Sequence, residues 1–111
     1  MEALVVLCTV PDEETATKLA ETVVQNRLAA CVNIIGPHKS IYEWGGKLER
    51  DTEFLLVIKT SRQRFEALAE KVIQLHPYEV PEIIALPILA GNAVKSKILC
   101  NFFSACNEAK A

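Results

Sequence analysis

Two stretches of this 111-residue chain are apolar at odd and even positions alike, and that property restricts the fold more than any other. In Ala3–Val10 (ALVVLCTV), Leu4, Val6, Cys8 and Val10 fill one side of an extended backbone while Ala3, Val5 and Leu7 fill the other. In Phe54–Lys59 (FLLVIK), Phe54, Leu56 and Ile58 oppose Leu55 and Val57. Successive side chains of a strand point to opposite faces, so a strand with one wet face alternates apolar and polar. These two do not alternate. A sheet built on them has two faces to cover.

Helical periodicity supplies a cover for one face. After Pro11, Asp12 is placed to cap a helix, with Glu13 and Glu14 in the first turn where the helix dipole favours carboxylates. Ala16, Leu19, Ala20, Val23 and Val24 then share one helical face. Ser61 is placed to cap a second helix with Phe65, Leu68, Ala69, Val72 and Ile73 on its buried face, ended by Pro77. The two helices share LAExVxQ, at Leu19–Gln25 and again at Leu68–Gln74, identical in five of seven positions. Between them Ala29 to Ile35 reads as a strand, bent at Gly36-Pro37 and resuming at Ser40 to Trp44. Gly45-Gly46 makes a tight turn, and the chain returns through the charged segment Lys47 to Glu53. A last strand is expected over Ile83 to Leu89, and a weaker third helix after Gly91-Asn92 carries Val94, Ile98, Leu99 and Phe102.

The order predicts an α+β fold, a ferredoxin-like βαββαβ sandwich with an extra C-terminal helix, as a single domain over residues 1–111. Both helices lie on one face of such a sheet. The opposite face stays apolar and predicts a homo-oligomer with the open faces packed together. The hairpin around Gly45-Gly46, tipped by Tyr42 and Trp44, is expected to reach a neighbouring subunit.

Composition excludes several classes. Half the residues are hydrophobic and 23 % charged, which excludes disorder, and no apolar run approaches the roughly 20 residues of a membrane helix. A net charge of −2 argues against nucleic acid as a partner. The start, Met1-Glu2-Ala3-Leu4, lacks a basic leader, so a cytoplasmic location and reduced cysteines are expected. No Cys-x-x-Cys pair exists, and Cys100 and Cys106, six residues apart, do not share a helical face. The loop after the first strand, Pro11-Asp12-Glu13-Glu14, would repel an anion.

The chemically richest segment is His76-Pro77-Tyr78-Glu79-Val80-Pro81-Glu82, an imidazole, a phenol and two carboxylates between prolines. One reading is a rigid helix-to-strand connection, the other a ligand or metal pocket shared between subunits. Cys8 and Cys31 read as small buried hydrophobes. Should Cys8 converge with His76, a thiolate and an imidazole would suit copper or zinc.

Five co-linear blocks resemble the CutA divalent-cation tolerance proteins. They are Leu7–Asp12 (LCTVPD), Leu28–Asn33 (LAACVN), Tyr42–Lys47 (YEWGGK), Ile58–Thr60 (IKT) and His76–Glu82 (HPYEVPE), spread in order between Ala3 and Asn92. The resemblance implies a ferredoxin-like fold, a tight homotrimer with its sheets packed inside, unusual stability, a link to copper and other divalent cations, and no established enzymatic activity. Family members with a described copper site use the cysteine matching Cys8 and a His-His pair before Pro-Tyr. Here that pair is Leu75-His76, one histidine short. The family's Tyr-Leu-x-Trp after the last Gly-Asn is replaced by Lys95-Ser96-Lys97-Ile98. Two functions follow as expectations. The first is a trimeric tolerance protein binding copper or another divalent cation weakly through Cys8 and His76. The second is a trimeric signalling or adaptor module whose inter-subunit clefts, with Cys31, Lys59, Tyr78, Glu79 and Glu82, take a small molecule or a partner protein.

Overall fold

The structure, a computed structural model, describes residues 2–91. Strand β1 (Ala3–Val10) leads into helix α1 (Glu13–Gln25), then the paired strands β2 (Cys31–Trp44) and β3 (Lys47–Ser61). Helix α2 (Phe65–Leu75) and strand β4 (Ile83–Pro87) complete the described order. The four strands form one sheet in the order β2-β3-β1-β4, every pairing antiparallel. This is the expected α+β sandwich. The expected third helix, with Cys100 and Cys106, lies outside the described residues.

Local chemistry explains the boundaries. Asp12 caps α1 by accepting a hydrogen bond from the Thr15 N–H at 2.7 Å, satisfying an amide that the first helical turn leaves free. Ser61 accepts from the Arg64 N–H at 3.3 Å, but what it caps is a single 3-10 turn, Arg62–Arg64, and α2 begins only at Phe65. Leu75 is the last helical residue because Pro77 forces His76 into extended backbone, φ −76° and ψ 135°.

Four details differ from the sequence reading. β2 starts at Cys31 rather than Ala29 and runs unbroken to Trp44, its bend absorbed by a bulge between Ile35 and His38. β3 begins at Lys47, since the charged segment pairs residue by residue with the returning arm. β4 stops at Pro87, where its pairing with β1 ends. On α2 only Leu68 and Val72 are buried, and Ile73 is exposed, because the short helix meets the sheet along a narrow stripe.

The core lies between sheet and helices. Val6, Cys8 and Val10 of β1 and Leu56 and Ile58 of β3 pack with Ala16, Leu19 and Val23 of α1 and Leu68 and Val72 of α2. The alternate residues form cross-strand rows on the helix-free face, Leu86–Val5–Lys59–Cys31 and Ile84–Leu7–Val57–Asn33, with Thr9 and Leu55 beside them. Ile84 and Leu86 are exposed there. Beyond the sheet, the far ends of β2 and β3 continue as a two-stranded arm closed by Gly45 and Gly46, both at positive φ as the turn requires.

Candidate functional site

Three distant segments meet where β1 ends: Cys8 and Thr9 of that strand, the connection after α2, and Glu53 of β3. His76 is buried at the head of the connection. Its Nδ1 lies 3.1 Å from the Tyr78 backbone nitrogen and its Nε2 lies 2.7 Å from the Thr9 carbonyl oxygen. An amide N–H can only donate and a carbonyl can only accept. Nδ1 therefore accepts, Nε2–H donates, and His76 is held as one neutral tautomer. The rings of His76 and Tyr78 sit 4.7 Å apart at a tilt of 47°.

Tyr78 then reaches β3, its phenol donating to Glu53 Oε2 at 2.6 Å. Glu53 is only 6 % exposed, so the bond supplies a donor to a carboxylate largely removed from water. Burial and this bond push the Tyr78 phenol well above its usual value. Glu53 pairs across the sheet with His38, whose Nε2 is buried and without a hydrogen-bond partner among the described residues. Further along the arm Tyr42 donates to Asp51, which pushes its phenol up to about 12.

Cys8 lies fully buried on the helix side of β1, its thiol 3.8 Å from the same Thr9 carbonyl that His76 uses. Burial foremost, then the carboxylates of Glu82 and Glu53, push this thiol up to about 12. So Cys8 and His76 do converge on one carbonyl, with Tyr78 joined to the histidine. Lys59 and Cys31 stand elsewhere, opposite one another on the helix-free face, and Lys59 donates to Asn33. That row crosses β1 at Val5, four residues or roughly 13 Å from Thr9. Glu79 and Glu82 are exposed on the connection, and Trp44 is exposed near the tip of the arm.

As a divalent-cation site the Cys8–His76 pair does not fit. A metal ligand must present a free lone pair to the ion, whereas the Cys8 thiol is fully buried and both imidazole nitrogens are engaged. No three His, Cys, Asp or Glu residues gather into a metal-holding group among the described residues. Leu75 does not stand in for a third ligand either. It lines a groove against α1 with Glu14, Thr15, Lys18, Leu19 and Pro77, while the adjacent His76 engages β1.

Sequence reasoning missed Glu53 and the Thr9 carbonyl. Glu53 had one signal, a carboxylate directly ahead of a fully apolar strand. The Thr9 carbonyl had none, because every residue carries one.

Comparison with known proteins follows the same lines. Residues 4–96 match the family model described as CutA1 divalent ion tolerance protein. A divalent-cation tolerance protein CutA of Thermus thermophilus is 54 % identical over 88 residues, covering 79 % of this chain and 85 % of that protein. The chloroplastic protein CutA of Arabidopsis thaliana is 51 % identical over 90 residues, 81 % of this chain but 50 % of its own length. The crystal structure of CutA1 from Oryza sativa superposes with a TM-score of 0.89 at 44 % identity, over 92 % of this chain and 94 % of that one.

Proposed function

This chain belongs to the CutA1 divalent ion tolerance family, and from that premise we propose that it works as a homotrimer in the response to divalent metal ions, without catalysing a reaction. The observation that carries the assembly is the helix-free face, where Val5, Leu7, Leu55 and Val57 of the central strands and the exposed Ile84 and Leu86 form one apolar surface. The apolar area of these side chains still open to water contributes about 25 cal/mol for each Å² withdrawn. Packing three such faces together covers what two helices cannot reach. The arm carrying the exposed Tyr42 and Trp44 extends past its own sheet, which supports a contact with a neighbour. No helix among the described residues is long and apolar enough to cross a membrane, and the proposed site of action is the cytoplasm.

The tolerance role is supported by the names of the relatives, and metal enters this reading as a property of the assembly. Weak binding of copper or another divalent cation is proposed for the assembled protein, not for the Cys8–His76 pair. Mass measurement in solution, followed by copper titration of the reduced protein, tests both parts. A trimer with weak, saturable binding that survives Cys8→Ala supports the reading. A monomer overturns the assembly, and binding abolished by Cys8→Ala returns the metal to the thiol.

A second reading is favoured by the preset polar pairs, Tyr78–Glu53 at the end of β1 and Lys59–Asn33 on the open face. Such pairs in clefts between subunits would recognise a small molecule or a partner protein. A thermal-shift screen of metals against nucleotides and metabolites separates the two, since a ligand of the folded state raises its melting temperature.

A further inference from the structure

We infer that His76 is the positioning residue that sets the Pro77–Glu82 connection and delivers Tyr78 to Glu53, and that it is not a metal ligand in this chain. The geometry within one subunit carries this, independently of the assembly. His76 joins two segments 67 residues apart through Nε2, and its own connection through Nδ1, so no lone pair on the ring is free. Withdrawing either nitrogen would release the loop from β1 or release Tyr78 from the histidine. The following contact depends on the second bond: the Tyr78 phenol reaches a carboxylate on β3 that is otherwise withdrawn from water. A neutral imidazole that donates and accepts in opposite directions is the side chain this link needs.

The neighbouring Leu75 takes no part in this link. Residue 75 points its side chain into the groove beside Thr15 and Lys18, whereas residue 76 meets Thr9.

Ring-nitrogen NMR of the reduced 111-residue chain tests the assignment, since it holds only two histidines and His76→Asn identifies the signals. The expected pattern is a protonated Nε2 and an unprotonated Nδ1, unchanged by excess zinc. Loss of the Nε2 proton on adding zinc, or an Nδ1–H tautomer without it, overturns the inference. The positioning role has its own readout in Tyr42→Phe, which leaves Tyr78 as the sole tyrosine. There His76→Ala should bring phenol ionisation down toward the ordinary value of about 10. His76→Asn, whose Oδ1 sits where Nδ1 accepts, should keep it high. Ionisation unmoved by His76→Ala overturns the positioning role. If that variant does not fold, the ring-nitrogen pattern and His76→Asn still decide.

Discussion

Cys8 keeps its proton because the helix side of β1 offers a thiolate no water and two carboxylates for neighbours. Its value rises from 9.0 to about 12 on folding, and the sign of the consequence follows. Below the unfolded value both states hold the proton and stability is unaffected. As pH climbs from there toward the folded value, the unfolded chain ionises first and stability is lost. Denaturant midpoints measured from neutral to strongly alkaline pH should therefore fall above about pH 9. Cys8→Ala should flatten the first part of that fall, leaving the part due to Tyr78 and Tyr42. The same thiol should resist alkylation until the protein unfolds, read by mass spectrometry of the labelled residue.

At the level of elements, two joints hold the architecture in register. Asp12 fixes the start of α1, and its bonds to Thr15 keep its carboxyl below the usual range. Stability from a carboxylate held low is present above its unfolded value and lost as pH falls through the folded one. Asp12→Ala should lower the melting temperature at neutral pH, with the difference from the parent shrinking in acid. Gly36 fixes the bulge of β2. It sits at φ +153°, and a Cβ there would lie 2.8 Å from the Phe54 ring and 3.2 Å from the Glu53 carbonyl oxygen. Gly36→Ala should cost about 1–3 kcal/mol in chemical denaturation, because backbone strain and the clash act together. Most of this layer was legible in the residues. Helical period, Asp12, Pro77 and Gly45-Gly46 place α1, the end of α2 and the arm within a residue or two of where they lie, while α2 starts three residues later than a cap at Ser61 implies. The ends of β2, β3 and β4 were less legible, since a strand ends where its partner ends, and the partner is remote.

For the whole molecule the decisive quantity is the surface left over. β1 is buried on its helix face and half-buried on the other in a single subunit, and β4 leaves Ile84 and Leu86 exposed beside it. A carboxylate set into this face would have to be desolvated on assembly, which costs several kcal/mol per ion. Leu86→Glu should shift the solution mass toward the monomer while leaving the far-UV circular dichroism of the subunit in place. In contrast, Leu68→Ala, under the helices, should cost about 2–5 kcal/mol of subunit stability by opening a cavity in the core. If Leu86→Glu leaves the mass unchanged, the open face is not the surface of assembly.

The strand pattern alone determined that the sheet has two apolar faces and the helices cover one, because side-chain alternation along a strand is a local rule that any residue list displays. It also marked His76 to Glu82 as the segment with chemistry in it. What that chemistry is had to wait for the tertiary structure. The state of His76 is set by a carbonyl 67 residues away, that of Tyr78 by a carboxylate 25 residues away, and the thiol of Cys8 by the helices packed over it. Hydrogen-bond partners and desolvation are properties of neighbours in space. A thiol and an imidazole that the family resemblance marks as metal ligands lie, once folded, one buried beneath the helices and the other bonded between Thr9 and Tyr78.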